Sequence, residues 1–163
     1  MCPPEVNCSL RMRWKLKFAP GVAVWRMSKR TYVDTCVLIA AFRAKGELGR
    51  RAIEILDDPD RTLVVSDAVR LEVFPKPRFH RIQEEVDFYE AVFEQSEKQP
   101  WNLETLKRAH TLAEAHGIAA MDAIHVATAL DAEVDEFISA EKPTKPMFDV
   151  TTLTMHSIRE GTA

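Results

Sequence analysis

The sequence predicts an α/β fold in which a parallel sheet carries helices on both faces. Two observations predict it. Short β-branched and aromatic runs alternate with longer amphipathic stretches along the chain. One stretch, residues 119–131, is helical in spacing yet apolar on nearly every side, which suits a helix buried inside a layered structure. At 163 residues the chain is long enough for one domain with a sizeable core. Its 46% apolar and 29% charged content is ordinary for a globular protein.

The elements follow in order. Thr31, Tyr32 and Val33 suit a buried strand. Asp34 and Thr35 come next, then an apolar run with Leu38 and Phe42 on one helical face. A strand, an Asp and then a helix place Asp34 at a strand's C-terminal edge, where open α/β sheets put their ligand sites. Gly46 breaks the chain, and residues 47–56 read as a second helix with Leu48, Ala52, Ile55 and Leu56 inward. The Asp-Asp-Pro-Asp run at 57–60 is a turn, and 62–65 is a short buried strand. Ser66 is a helix N-cap with Asp67 favourable to the dipole. That helix carries Glu72 on the face of Ala68 and Val69, and it stops at Phe74 before Pro75 and Pro77. Residues 79–98 are expected to form one long helix burying Ile82, Val86, Tyr89 and Phe93. Residues 99–101 read as a brief edge strand. Asn102 caps a helix expected to bury Leu103, Leu106, Ala109, His110 and Ala113 and to end at Gly117. After the helix at 119–131, residues 136–139 and 150–153 read as the last two strands.

The net charge of −3 is unevenly spread. Residues 1–28 carry five basic groups against one acidic group, whereas the rest carries 17 against 24. An acidic body excludes broad electrostatic binding to nucleic acid, so any such contact must use local basic clusters. Residues 1–28 show no sustained period and are expected to be a poorly ordered upstream extension, with Met27 a natural start; the alternative is a basic arm touching a partner. The domain is expected to span residues 29–155 and a tail 156–163. Residues 18–25 loosely imitate a signal peptide but lack a clear cleavage site, and no apolar run reaches the length of a membrane span. Three cysteines do not make a disulfide framework, which favours a reducing, cytoplasmic setting.

The chemistry rests on carboxylates. Asp34, Glu72 and Glu141 lie at or just beyond strand ends or in the helix that follows, and Asp122 opens the helix before the penultimate strand. Each has a plainer reading: a helix cap for Asp34, a solvated Glu for Glu72, a first-turn Asp for Asp122 and a loop glutamate for Glu141. In a parallel sheet these places can converge. Close carboxylates repel one another and protonate unless a cation compensates them. Mg²⁺ or Mn²⁺, which takes oxygen ligands and keeps several waters, meets that need. Zinc spacings such as His-x₃-His or Cys-x₂-Cys are missing, and His125 reads as a hydrogen-bonded core residue. No glycine-rich phosphate loop exists, and no Ser or Cys nucleophile has a matched His.

The stretches at 32–39, around Glu72, at 117–127 and at 137–141 resemble the PIN domain, most nearly its VapC-type toxin branch. The stretch around Asp122 is the most specific of them. The resemblance covers about residues 29–155. It implies a PIN-like three-layer α/β/α fold with a central five-stranded parallel sheet. It also implies a metal-dependent endoribonuclease, the toxin of a type II toxin–antitoxin pair. Asp34, Glu72, Asp122 and Glu141 would be the catalytic and metal-binding quartet, with Mg²⁺ or Mn²⁺ as cofactor and Thr35 and Ser139 in support. Partners would be RNA, a cognate antitoxin and a second copy of the chain, with no membrane. Phe79, Phe88, Tyr89 and Phe93 offer a face for the second copy or the antitoxin. Candidate RNA contacts are Arg43, Lys45, Lys76, Arg78 and Lys142, with Arg50, Arg51, Arg81 and Lys145 nearby. Two departures stand out: Glu141 where Asp is usual, and Cys36 where Ser or Asn is common. They support the alternative of a PIN-fold binding protein with weakened catalysis. A PIN-fold RNA-processing nuclease without an antitoxin is the other alternative.

Overall fold

The computed structural model describes residues 28–159. The expected N-terminal extension lies outside the described residues, apart from Ser28. Five parallel strands form one sheet in the order β3-β2-β1-β4-β5. They are β1 (Lys29–Val33), β2 (Arg61–Ser66), β3 (Glu97–Gln99), β4 (Glu136–Ser139) and β5 (Met155–Ser157). The helices are α1 (Thr35–Arg43), α2 (Gly46–Leu56), α3 (Asp67–Val73), α4 (Pro75–Phe79), α5 (Gln83–Gln95), α6 (Leu103–His116) and α7 (Ala120–Asp131). A 3₁₀ turn covers Pro146–Asp149. This is the three-layer α/β/α arrangement that the alternation of elements predicts.

The first strand is central. Tyr32 pairs in register with Val64 of β2 on one side and Phe137 of β4 on the other, and both Tyr32 and Val33 are fully buried. The chain winds outward through β2 and β3 on one side and returns through β4 and β5 on the other. The C-terminal end of β1 is therefore the switch point where such sheets open a crevice. Buried on β4 beside β1, Phe137 stacks on Tyr32 with ring centroids 5.1 Å apart.

Caps and breakers act largely as expected. Ser66 Oγ accepts from the Val69 N–H, Asn102 Oδ1 accepts from the Thr105 N–H, and Gly117 closes α6 in the left-handed region. Four details differ from expectation. The prolines end α3 but do not end helical structure, because Pro75 occupies the first turn of α4, where its missing N–H costs nothing. The helix expected at 79–98 begins only at Gln83: Arg81 takes a left-handed backbone and breaks it, leaving Phe79 81% exposed and Ile82 partly so. The face of α6 is rotated. Thr105 and Ala109 are buried, whereas Leu103, Leu106 and His110 face solvent. The last two boundaries move as well. The edge strand is 97–99 rather than 99–101, and the last strand is 155–157 rather than 150–153. Val150 and Leu153 are buried, but in the turns after the 3₁₀ segment, and Ile158 just past β5 is buried too.

Candidate metal centre

Four elements deliver the site. The β1 strand ends at Val33, and the Asp34 N–H donates to the Ile138 carbonyl of β4, which extends the ladder by one residue. Asp34 takes the N-cap position of α1 in an extended conformation, yet its side chain caps nothing. Its carboxylate turns toward β4 instead, where Oδ2 accepts from Ser139 Oγ at 2.8 Å and from Cys36 Sγ at 3.1 Å. Asp34 is only 5% exposed. A buried carboxylate needs such donors or a cation.

Glu72 reaches the same place from α3. Its Oε2 accepts from Thr35 Oγ1 at 2.5 Å and lies 2.8 Å from His125 Nε2. The His125 Nε2 is also 3.7 Å from Asp34 Oδ1. One ligand atom each from Asp34, Glu72 and His125 lies within 4.8 Å of the others, the grouping among the described residues that could hold a metal ion. The other face of the His125 ring is fixed by Tyr32, whose hydroxyl meets Nδ1 at 2.9 Å and Ser66 Oγ at 2.6 Å. The sequence predicts His125 to be a hydrogen-bonded core residue. It is buried and hydrogen-bonded, but its partner is one of the site's carboxylates. Its position three residues after Asp122 on a helix of Ala and Val was the available signal.

Asp122 and Glu141 meet through a different residue. Lys145 Nζ lies 2.9 Å from Asp122 Oδ2 and 3.4 Å from Glu141 Oε2. Glu141 follows β4 in a short loop. Its N–H donates to Ser139 Oγ, and its carbonyl accepts from Ser157 Oγ of β5. Cys36, the unusual residue, fits this frame: its sulfur accepts from the Ala140 N–H at 3.0 Å as its thiol faces Asp34.

The electrostatics tie the two halves together. The His125 hydrogen bond, helped by Thr35 and by the charges of His125 and Lys145, holds the Glu72 carboxyl below its usual range despite burial. Burial pulls the His125 imidazolium down, but Glu72, Asp34 and Asp122 outweigh it and leave it raised. Burial, followed by the Asp34 charge, pushes the Cys36 thiol well up, so it is no thiolate nucleophile. The donor set fits a hard divalent cation: four carboxylates face one lysine and one histidine, and Glu72, Asp122 and Glu141 are partly open to solvent.

Of the candidate RNA contacts, Arg43, Lys45, Lys76 and Lys142 are exposed and make no ion pair with the described residues. Arg78 is engaged: it pairs with Glu90 and stacks over Phe74 at 4.5 Å. Arg50 pairs with Glu47 and Glu54, and Arg51 pairs with Glu47. Tyr89 and Phe93, expected on a docking face, are core residues, whereas Phe79 is open.

A parallel α/β/α domain with acidic side chains gathered at its switch point defines the class. The sequence matches the PIN domain family over residues 31–142, more than half of the chain, and the chain belongs to that family. Among solved structures, VapBC2 from Rickettsia felis, bound to a DNA fragment from its promoter, matches with a TM-score of 0.58 at 12% identity. That match covers 78% of this chain and 98% of the other. FitAcB from Neisseria gonorrhoeae matches with a TM-score of 0.55 at 15% identity, covering 80% and 99%. At such identities the likeness is one of fold. No protein of curated function matches the sequence.

Proposed function

We propose that this chain is a Mg²⁺- or Mn²⁺-dependent endoribonuclease that hydrolyses RNA phosphodiester bonds, and that it is the toxin of a type II toxin–antitoxin pair. The observation that carries the reading is the gathering of Asp34, Glu72 and His125 within 4.8 Å at the end of the central strand, with Asp122 and Glu141 alongside. Asp34, Glu72, Asp122 and Glu141 are the catalytic and metal-holding carboxylates in this reading, and the close grouping of Asp34, Glu72 and His125 supports it. When bound, a divalent ion lowers the pKa of a water and offsets charge on the phosphate.

The chain's own residues do the positioning. Ser139 and Cys36 aim the Asp34 carboxylate, Thr35 and His125 aim Glu72, and Tyr32 fixes the His125 ring. Lys145 adds a positive charge beside Asp122 and Glu141. The exposed cations Arg43, Lys45, Lys76 and Lys142 supply phosphate contacts, which position a backbone without reading its sequence. PIN domain membership and the VapBC2 and FitAcB fold likeness support the toxin reading and, with it, an antitoxin partner. A homodimer belongs to the same proposal, with Leu71, Phe79, Ile82, Leu103 and Leu106 among the exposed apolar side chains available to it. Among the described residues no helix is long and apolar enough to cross a membrane, and a cytoplasmic location is proposed.

The test is RNA cleavage by purified chain, freed of any antitoxin, in Mg²⁺ and in EDTA, beside Asp34→Asn. Cleavage that needs the metal and vanishes in the variant supports the reading. Absence of metal-dependent cleavage on structured and unstructured RNA overturns it.

A further inference from the structure

The short helix α4 and the turn after it present an aromatic ring that the acidic centre does not use. Phe79 is 81% exposed, more than any other large apolar side chain among the described residues. Its chain neighbours Arg78, His80 and Arg81 are exposed too, and its ring meets the His80 ring edge-on at 5.1 Å. Residues 73–83 hold Lys76, Arg78 and Arg81 and no carboxylate, in a body that is otherwise acidic. Two acids that follow in α5 are engaged: Glu85 accepts from the Tyr89 hydroxyl, and Glu90 pairs with Arg78.

The exposure is built into the turn. The His80 N–H donates to the Lys76 carbonyl at 3.0 Å, the Arg81 N–H to the Arg78 carbonyl at 3.2 Å, and the Ile82 N–H to the Pro77 carbonyl at 2.8 Å. Pro77 is buried. Arg81 holds a left-handed backbone at φ 57°, a conformation that such a residue keeps only where its surroundings enforce it.

Two occupants would cover this ring. A second copy docked two-fold about the turn would set Lys76, Arg78 and Arg81 against their own counterparts, like charge on like. Single-stranded RNA meets both features at once, because unpaired bases stack on aromatic faces while cations take the phosphates. Duplex RNA keeps its bases stacked on one another and cannot use the ring. The position suits a substrate contact. The helices α3 and α4 join at Phe74 with the backbone still right-handed, so Phe79 stands about 10 Å of helix beyond Glu72.

We propose that Phe79 is a stacking platform for an unpaired base of the RNA substrate, with Lys76 and Arg81 on the adjoining phosphates. This rests on the ribonuclease reading above and deepens it: the substrate is RNA that is single-stranded beside the cleaved bond. It gives Phe79 to the substrate and leaves the other exposed apolar side chains to a second copy.

The experiment measures the fluorescence anisotropy of a labelled RNA of about 12 nucleotides, within the span of a single-strand site. The RNA is offered as a single strand and annealed to its complement, to the full chain in EDTA, which withholds the metal. The samples are wild type, Phe79→Ala, Phe79→Leu, Phe79→Trp and Lys76→Gln. Phe79→Ala and Phe79→Leu are expected to weaken single-strand binding about 5–150-fold, the worth of one stacked base, with the salt dependence unchanged. Phe79→Trp keeps the affinity, and all three Phe79 variants keep the duplex affinity. Lys76→Gln instead flattens the salt dependence by about one phosphate contact. Wild-type affinity in Phe79→Ala, wild-type affinity in Phe79→Leu, or equal losses on strand and duplex overturn the proposal, and so does a wild type that binds no single strand. A Phe79→Ala chain that binds RNA normally but sediments as a monomer where wild type is a dimer also overturns it and makes the ring an interface. None of these binding results decides the nuclease reading, which is tested separately by metal-dependent cleavage with wild type.

Discussion

Ser139 Oγ donates to Asp34 Oδ2 at 2.8 Å, and this bond joins the ends of the two adjacent strands between which the sheet reverses its winding. Ser139 also accepts the Glu141 N–H, so one hydroxyl holds the Asp34 carboxylate and the backbone that carries Glu141. Ser139→Ala is expected to lower Mn²⁺ affinity about 10–100-fold, the usual cost of losing a partner that orients a ligand. The melting temperature should move little, since one hydrogen bond nets only about 1 kcal/mol. Calorimetric Mn²⁺ binding beside a thermal melt checks it, and unchanged affinity would refute the orienting role.

Away from the centre, Glu136 governs acid stability. Its carboxylate is 1% exposed and accepts from Thr31 Oγ1 at 2.8 Å, Arg61 Nε at 2.9 Å and Lys29 Nζ at 3.2 Å. Burial pushes this carboxyl up, but the three donors outweigh it and hold it below the usual range. A depressed folded pKa gives stability that is complete above the unfolded value and is lost as pH falls through the folded one. Glu136→Gln should therefore lower stability at neutral pH, and the gap from wild type should close below about pH 4. Urea midpoints measured from pH 7 to pH 3 decide it; a gap of constant size would show that Glu136 is not the acid-sensitive group.

Arg61 is the partner whose loss should cost most there. It reaches both Glu136 and Asp58 and is largely buried. Arg61→Met is expected to destabilise by about 2 kcal/mol, below the 3–5 kcal/mol of a broken fully buried pair, because Lys29 and Thr31 remain. Adding Glu136→Gln should recover part of the loss. Chemical denaturation of the two variants tests both halves.

How much of this was legible in sequence follows from what each signal measures. Asp34, Glu72, Asp122 and Glu141 could be picked out because their places relative to strand ends are fixed by chain order, and a parallel sheet brings those places together. Lys145 and His125 could not be assigned in the same way. In the sequence Lys145 is one of several cations near Glu141, and nothing in its spacing says that its ammonium lies 2.9 Å from Asp122. His125 looked like a core residue because it is one; only the fold places Glu72 against it. The α6 helix shows the complementary limit. A period of apolar residues says that a face exists, not that anything covers it. Thr105 is buried with its hydroxyl donating to Asp131 at 2.6 Å, and Leu103 and Leu106 face outward.

Gly49 is a packing requirement that leaves the site alone. A Cβ added there would lie 2.7 Å from the Ala44 carbonyl carbon and 2.9 Å from its Cα. These are backbone atoms at the end of α1, so relief requires α1 and α2 to separate. Gly49→Ala should cost about 1–3 kcal/mol, the range for overpacking. Mn²⁺ affinity should hold at temperatures where the variant is folded. A neutral melt would mean that the two helices slide apart freely.

The exposed leucines of α6 give the last expectation and separate burial from hydrophobic pattern. Leu103 is 64% exposed and Leu106 is 44% exposed, so neither side chain leaves much apolar surface behind when it is replaced. Leu103→Ser and Leu106→Ser should each change stability by no more than about 0.5 kcal/mol. Leu38→Ala on α1, where the side chain is fully buried, should cost about 2–5 kcal/mol through lost transfer energy and the cavity it leaves. The contrast can be read from urea midpoints at one chain concentration. Repeating the leucine variants at tenfold higher concentration shows whether the stripe is covered by a second copy. If their deficit grows as the chain associates, α6 lies in an interface; if it stays near zero, the stripe is free surface.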